Sequence, residues 1–326
     1  MPKSVRVLVV EDFEPIRDVV CKKLQTDPNL QVVGQVSDGL EAVQKAQELQ
    51  PQLILLDIGL PTLNGLEAAR RIRIVSPSSK IVFLTQANST EMIEEALRIG
   101  AKGYIVKVDI ARELLRGVAV VLSGKIFISS LPAHSNASLV RVISQSTRIN
   151  PHVLAIYRDD ASLVNGLSRS INDALYSGSA AIAVVTESHR DGLLRMLRAY
   201  SSEVDTDMKQ GRLVFLDAAE TLAIFSLDDQ PDISRFNATA RNLIDAAAAQ
   251  ARAESQKVFV CGECPSILLA EGNLEATIQL EQLWADFLKI HGGITLHCAY
   301  LSDQFESLDA HIFERVSARA SAVLGY

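Results

Sequence analysis

The feature that most constrains this chain is a regular alternation of short apolar runs with amphipathic segments over its first 124 residues. The runs are apolar at nearly every position, which is typical of strands buried on both faces of a parallel sheet. Helical patterns separate the runs, so crossovers must place helices on both faces of that sheet. The predicted strands are Val5–Val10, Leu30–Val36, Gln52–Asp57, Lys80–Thr85 and Gly103–Lys107.

A second alternation begins at Pro151, and the chain from His311 to Val323 has the pattern of one closing helix. The stretch before it is rich in Ser, Pro and Ala and is typical of a linker. We therefore expect an α/β protein of two doubly wound domains, at 1–124 and 151–326, joined by residues 125–150. The predicted strands of the second domain are His152–Arg158, Ala180–Thr186, Arg212–Asp217, Lys257–Glu263 and Ile294–Tyr300.

Composition and charge exclude several classes of protein. No apolar run reaches the ~18 residues of a membrane span, and the N-terminal apolar run is too short for a signal peptide, so we expect a cytoplasmic protein with no membrane partner. The first 124 residues carry 15 basic and 15 acidic side chains, whereas the remainder carries 17 and 24. An acidic second half does not favour nucleic-acid binding, which requires a basic surface.

Polar residues occur where the strands of the first domain end. Glu11 and Asp12 follow the first strand, Asp57 ends the third, Thr85 ends the fourth and Lys107 ends the fifth. Because ligands bind beyond the carboxyl ends of parallel strands, we expect these side chains to converge. Three close carboxylates repel one another, and a divalent cation that prefers oxygen ligands, Mg²⁺, relieves the repulsion. Asp57 is then placed to act as a nucleophile toward a phosphoryl group.

The acidic pair, LLDIGLP, LT and the later lysine together resemble the receiver domain of two-component response regulators, which has the CheY-like, flavodoxin-like fold of five parallel strands. The resemblance covers residues 4 to 124. It implies that Asp57 is the phosphorylation site and that Asp12 binds the metal directly, with Glu11 acting through water. The backbone carbonyl of Gly59 matches the remaining protein ligand of the metal.

The same resemblance assigns three further positions. Thr85 matches the hydroxyl that bonds the phosphoryl group, and Lys107 matches the lysine that binds its oxygens, so both join Asp57 in the catalytic set. Tyr104 matches the aromatic residue whose side-chain orientation changes with the switch at Thr85.

Two common output domains do not fit the second half. It has no pair of short basic helices that would predict a helix-turn-helix. A nucleotide-binding loop requires a glycine-lysine pair after a strand. The segment after His152–Arg158, DDASLVNGLSRS, has no such pair and begins with two acidic residues. The segments HVLAIYRDD, GSAAIAVVTES, GRLVFLDAAET and VFVCGECPSILLAEGNLEATIQLEQLW resemble the DcmR-type sensory domain, MEDS, over about residues 150 to 305. That resemblance implies a RecA/KaiC-like parallel sheet without its phosphate loop, in a domain that senses small molecules.

Strand ends again indicate where a ligand would bind in this half. The candidate pocket comprises Arg158, Glu187, Asp217 and Glu263. The resemblance favours two charged positions, Glu263 and Glu281. Two interpretations stay open: a ligand pocket, or a buried carboxylate paired with Arg158 that only stabilises the fold.

The motif CGEC, Cys261 to Cys264, is the other candidate for chemistry in this half. It has the spacing of a redox pair, and with His297 and Cys298 it would supply four zinc ligands. The third reading is that Cys261 is a small core residue, because it alternates with apolar positions. The remaining histidines, including His152 and His189, show no ligand spacing and receive no role here.

These observations predict a bacterial response regulator rather than an enzyme. A sensor histidine kinase or a phosphotransfer protein would donate a phosphoryl group to Asp57, and the domain would catalyse only its own phosphoryl transfer and dephosphorylation. The expected readout is homodimerisation through the face of the fourth helix, fifth strand and fifth helix, or a change in a second domain that binds a small molecule or a protein. The alternative is a receiver-controlled enzyme whose second domain is redox-active or binds nucleotides.

Overall fold

In the computed structural model, the chain divides into two compact units, residues 1–132 and 133–326, and each contains parallel strands connected by helices. The structure describes residues 4–86, 88–131, 142, 151–228, 230–252, 257–306 and 310–326. None of the helices in these ranges is long and apolar enough to cross a membrane. The predicted α/β class is confirmed for both units.

The described residues of the first unit form six parallel strands and five α-helices in alternation. Within it the strand order is β2-β1-β3-β4-β5-β6. The strands are β1 (Val5–Val10), β2 (Leu30–Val36), β3 (Leu53–Asp57), β4 (Lys80–Thr85), β5 (Gly103–Val106) and β6 (Ile126–Ile128). The helices are α1 (Glu14–Leu24), α2 (Gly39–Leu49), α3 (Gly65–Val75), α4 (Thr90–Ile99) and α5 (Ile110–Leu122).

The sixth strand differs from the prediction, which placed residues 126–128 in a linker. Ile126, Phe127 and Ile128 are all buried, and the amide of Phe127 donates to the carbonyl of Lys102 at 2.9 Å. Burying such an apolar triplet at the edge of the sheet lowers the free energy relative to leaving it in solvent. The turn at Gly124 allows the triplet to reach that edge. Of the remaining predicted linker, residues 129–131 and 142 are described and the rest lies outside the described residues.

The second unit contains a parallel sheet of order β14-β7-β13-β12-β8-β9 and a separate short hairpin. Its strands are β7 (His152–Tyr157), β8 (Ala180–Val185), β9 (Leu213–Asp217), the hairpin β10 (Ser226–Leu227) and β11 (Gln230–Pro231), β12 (Val258–Gly262), β13 (Ile294–Leu301) and β14 (Ala322–Gly325). Its helices are α6 (Asp160–Tyr176), α7 (Glu187–Tyr200), α8 (Val204–Lys209), α9 (Ala218–Phe225), α10 (Ile233–Ala248), α11 (Cys264–Ala270), α12 (Leu274–Ile290), α13 (Asp303–Glu306) and α14 (Ala310–Ser317).

The end of the chain is where the prediction for this unit was wrong. The segment predicted as one helix from His311 to Val323 is instead the helix α14, which ends at Ser317, followed by the strand β14. Strand β14 pairs with β7, and the ring of Tyr326 stacks on Tyr157 with centroids 4.6 Å apart. The short run AVL suits a buried strand as well as a helix, and its long-range partner decides between them.

Candidate functional site

The carboxyl ends of four strands of the first unit place the predicted side chains together. Strands β1, β3, β4 and β5 are neighbours in that order. Glu11 follows β1 directly, Asp57 and Thr85 are the last residues of β3 and β4, and Lys107 begins a 3₁₀ turn immediately after β5. All four residues therefore lie at one edge of the sheet.

Lys107 connects two of the acidic residues. Its ammonium nitrogen lies 2.8 Å from Glu11 Oε1 and 3.0 Å from Asp57 Oδ2. The exposed fractions of these side chains are only 7% for Lys107, 0% for Glu11 and 6% for Asp57. Burial lowers the pKa of Lys107, but its bonds to Glu11 and Asp57 outweigh burial, and the pKa stands above its ordinary value. The lysine is therefore a permanent cation at this position.

The three carboxylates form a set that fits a hard divalent cation. Oxygen atoms of Glu11, Asp12 and Asp57 all lie within 4.8 Å of one another. Glu11 is buried and Asp12 is exposed, which leaves an open side for water ligands. Burial raises the pKa of Glu11, and its Oε2 has no hydrogen-bond partner within the described part of the chain. A buried oxygen without a donor is costly, and an ion such as Mg²⁺ would satisfy it.

Gly59 and Gly65 shape the loop that follows Asp57. A Cβ atom added to Gly59 would lie 3.7 Å from Asp57 Oδ2, so the Gly59 backbone approaches that carboxylate. A Cβ atom at Gly65 would lie 2.0 Å from the carbonyl oxygen of Asp57, which no side chain permits. The glycine thus allows α3 to begin against the end of β3, with its amide donating to the carbonyl of Ile58 at 2.9 Å.

Thr85 and Tyr104 are joined inside the same unit. Their exposed fractions are 3% and 0%, and a side-chain hydrogen bond links them. Burial raises the pKa of Tyr104, and the bond to Thr85 offsets only part of that effect. The threonine hydroxyl is thereby tied to a ring that is buried in the core.

Two supporting residues were not found from the sequence. The guanidinium of Arg17 donates to the carbonyl of Glu11 at 2.7 Å. The hydroxyl of Ser129, just beyond β6, accepts from the amide of Val106 at 2.9 Å and donates to Asp109 at 3.2 Å. The Arg17 bond fixes the backbone at Glu11, and the Ser129 bonds hold the backbone on either side of Lys107. Spacing along the chain does not signal the Ser129 bonds, because their partners are 20 or more residues away.

The four residues predicted as a pocket in the second unit have different environments. Arg158 and Glu187 are exposed. Asp217 caps α9 by accepting from the amide of Glu220 at 2.9 Å. Only Glu263 is buried, with 5% of its surface exposed. Glu263 does not form the ion pair with Arg158 that the sequence suggested for a buried carboxylate; its partner is His189.

The partner of Glu263 is His189, a residue to which the sequence assigned no role. His189 Nδ1 lies 2.7 Å from Glu263 Oε1, and its Nε2 lies 3.3 Å from Asp160. The amide of Thr186 donates to the other oxygen of Glu263 at 3.0 Å. The hydrogen bond to Glu263 is the main cause that raises the pKa of His189. This cluster joins the starts of α6 and α7 to the end of β12.

The cysteines of CGEC are core residues. Cys261 and Cys264 are buried and unpaired. Burial raises the pKa of both thiols, that of Cys264 to about 12, whereas a redox thiol requires a lowered pKa and access to solvent. Cys261 is paired across the sheet with His297 and Gly262 with Cys298. Since alternate residues face opposite sides of a strand, Cys261 and Cys298 cannot share the zinc that the sequence suggested.

Comparison with known families accounts for both units. Residues 7–119 match the response regulator receiver domain. Residues 151–312 match MEDS, the methanogen/methylotroph, DcmR sensory domain. This chain joins a receiver domain to a MEDS domain. The resemblances drawn from the motifs are confirmed, and the acidic residues at the edge of the first sheet lie in the part of the chain that matches the receiver domain.

Individual relatives resemble part of the chain. The response regulator GacA of Pseudomonas viridiflava is 35% identical over 125 residues, 38% of this chain and 58% of that protein. A protein-glutamate methylesterase/protein-glutamine glutaminase of Methanospirillum hungatei JF-1 is 42% identical over 105 residues, 32% of this chain and 31% of that protein. The response regulator domain of Thermotoga maritima CheB is 34% identical, with a TM-score of 0.35, over 37% of this chain and 97% of that one. The chain thus spans less than two thirds of the GacA length.

Proposed function

We propose that this protein is a response regulator whose receiver domain accepts a phosphoryl group on Asp57 from a histidine kinase or phosphotransfer protein. The observation that carries the proposal is the contact of Lys107 with both Glu11 and Asp57 at the edge of the sheet, at 2.8 and 3.0 Å. A buried cation beside a carboxylate nucleophile is what a dianionic phosphoryl group requires.

The chemistry assigns each residue a step. A carboxylate oxygen of Asp57 attacks phosphorus, the P–N bond of the donor phosphohistidine breaks, and the imidazole leaves as the new P–O bond forms. Lys107 moves its hydrogen bonds from carboxylate to phosphoryl oxygens and neutralises charge that develops there. Glu11, Asp12, Asp57 and the carbonyl of Gly59 would hold Mg²⁺, which when bound neutralises the remaining charge on the phosphoryl oxygens.

Thr85 is the proposed reporter of phosphorylation. Its hydroxyl would turn toward a phosphoryl oxygen on Asp57, since both residues end neighbouring strands. That movement breaks or remodels the bond between Thr85 and Tyr104, and a buried ring that loses its partner changes its orientation. The face formed by α4, β5 and α5 would change with it, which supports dimerisation through that face as the readout.

The MEDS domain is proposed as a sensory or interaction domain that binds a small molecule or a protein and no nucleic acid. Its excess of acidic side chains supports this. At the start of α6, the carboxylate of Asp159 accepts from the amide of Ser162 at 2.7 Å, so an acid occupies the place where a nucleotide phosphate would bind. The CGEC thiols are buried and their pKa values are raised, which does not favour the redox enzyme that the motif suggested.

Phosphoryl transfer is tested with labelled acetyl phosphate and Mg²⁺ on the full chain. We expect one labelled group per chain, lost in Asp57→Asn. Asp38→Asn is the matched control, because Asp38 is also a carboxylate after a strand but caps α2 by bonds to Leu40 and Glu41. Labelling that persists in Asp57→Asn would refute the assignment of the acceptor. Mass measurement with and without beryllofluoride then tests dimerisation.

A further inference from the structure

One face of the MEDS sheet brings together three side chains that are distant in sequence. His152 begins β7 and Cys298 lies on the adjacent strand β13, where Leu296 pairs with His152 and Cys298 pairs with Leu154. His152 and Cys298 are therefore on the same face, offset by one pleat. Glu281 reaches them from α12. The exposed fractions are 3% for His152, 1% for Cys298 and 1% for Glu281.

The potential ligand atoms of these residues converge on one point. His152 Nε2 lies 2.8 Å from Glu281 Oε2 and 3.4 Å from Cys298 Sγ. An imidazole nitrogen, a carboxylate oxygen and a sulfur atom thus all lie within 4.8 Å of one another. The neighbouring His297 points to the other face of the sheet, where it packs edge-on against Phe259.

The hydrogen bonds of this set leave one carboxylate oxygen without an aligned donor. Glu281 Oε1 accepts from the hydroxyl of Tyr300, but Oε2 has no hydrogen-bond partner among the residues that the structure describes. Oε2 faces His152 Nε2 at 2.8 Å, an ion-pair contact that is not aligned as a hydrogen bond. A buried carboxylate oxygen without an aligned donor destabilises the fold, and a cation placed between the three atoms would remove that cost.

We propose that His152, Glu281 and Cys298 bind one divalent cation of the zinc class. Nitrogen, sulfur and carboxylate oxygen are the ligands of Zn²⁺, whereas Mg²⁺ and Ca²⁺ take oxygen ligands. Zinc–ligand distances of about 2.0–2.3 Å place neighbouring ligand atoms roughly 3.3–3.7 Å apart. The sulfur–nitrogen spacing already has that value, and the nitrogen–oxygen spacing needs to open by about 0.5 Å.

Three further features fit a metal site. The bond from Tyr300 orients the Glu281 carboxylate from behind, as second-sphere residues do in zinc proteins. The thiol of Cys298 releases its proton to solvent when it becomes a ligand, because sulfur coordinates as the thiolate. Three protein ligands leave one coordination position for water or a small ligand, the pattern of zinc sites that bind exogenous molecules. The proposal does not depend on phosphorylation of Asp57.

Cobalt binding to the metal-depleted full chain tests the site, because Co²⁺ replaces Zn²⁺ and reports sulfur ligands by charge-transfer absorption. We expect one Co²⁺ per chain with a thiolate band, displaced by Zn²⁺. The receiver carboxylates contain no sulfur and cannot produce that band. Cys298→Ala should abolish the band and lower Zn²⁺ affinity at least ~100-fold, and Tyr300→Phe should lower it about 10-fold. Cys261→Ala, on the opposite face, should change neither.

Two results would overturn the proposal. One is a folded wild-type chain that takes up Co²⁺ without a thiolate band or takes up none, which would make the three residues a polar network that only fills the core. This result needs no variant, so a Cys298→Ala protein that fails to fold does not obstruct the test. The other is a band that survives in Cys298→Ala or disappears in Cys261→Ala.

Discussion

Glu11 is a residue of the receiver site whose buried carboxylate is unfavourable until a divalent cation binds to it. It lies at 0% exposure, with one oxygen bonded to Lys107 and the other without a partner in the described residues. Burial raises its pKa. Because the pKa of Glu11 is higher in the folded state, protonation of its carboxyl group stabilises the fold. The stability of the domain therefore falls as pH rises from the unfolded value of 4.5 through the folded pKa.

The corresponding prediction is that Glu11→Gln stabilises the metal-free protein at neutral pH, because a neutral amide replaces a buried, partly unpaired charge. The melting temperature should rise by a few degrees, about 1 kcal/mol in the free energy of unfolding. The increase that Mg²⁺ produces in the wild-type melting temperature should disappear. Thermal unfolding with and without Mg²⁺ measures both effects. A variant that is less stable without metal and still responds to Mg²⁺ would contradict this account of Glu11.

Among the secondary-structure elements, α8 and β9 are joined by a buried ion pair. Arg212 and Asp207 form a two-pronged contact at 2.7 and 2.8 Å, with each side chain 3% exposed. The guanidinium also donates to the carbonyls of Leu175 and Ser179. The pair thereby attaches the end of α6 and the start of β8 to the same point.

Asp207→Ala should lower the free energy of unfolding by about 3–5 kcal/mol, because it leaves Arg212 as an uncompensated buried charge. Asp205→Ala is the matched control in the same helix. Its carboxylate pairs with Arg198 on the surface, where both side chains are more than half exposed, so its stability should be unchanged within error. Urea unfolding measures the difference, and equal effects of the two variants would count against a buried pair.

The cluster around His189 predicts how the MEDS domain responds to pH. The bond to Glu263 is the main cause of a raised pKa for His189. Its contribution to stability is therefore fully present below the unfolded value of 6.5 and is lost as pH rises through the folded pKa. We expect urea midpoints of the MEDS transition to fall across that window in the wild type and to flatten in His189→Asn. A flat wild-type profile would contradict the assignment of this pH dependence to His189.

At the scale of the whole molecule, each of the two units contains its own set of buried apolar side chains. All receiver site residues lie between Glu11 and Lys107. β6 adds three buried side chains beyond the end of the domain that periodicity predicts at 124. The boundary at which the receiver domain can be separated thus depends on that short strand.

We expect residues 1–131 alone to fold, bind Mg²⁺ and accept phosphoryl on Asp57. Residues 1–124 should be less stable by several kcal/mol, since burying each lost side chain, Ile126, Phe127 and Ile128, contributes about 1.5–3 kcal/mol. Chemical unfolding and acetyl phosphate labelling of the two fragments measure this. Equal stability of the fragments would show that β6 contributes nothing to the receiver domain.

Local pattern was sufficient for the parts of the fold whose signal lies within one element. Strands β1, β2 and β4 begin and end where periodicity places them, because burial on both faces needs an unbroken apolar run. Glu11, Asp57 and Lys107 were recognisable because parallel strands bring their carboxyl ends to one edge whatever the details of packing.

The features that depend on contacts between distant segments were decided by tertiary structure alone. Strand β14 exists because β7 offers an edge, and an isolated AVL run does not choose between helix and strand. His189 meets Glu263 across 74 residues, and His152 meets Glu281 and Cys298 across more than 120 residues. Contacts between distant segments depend on register and on which face of a strand each residue occupies. Spacing along one chain does not encode either of these.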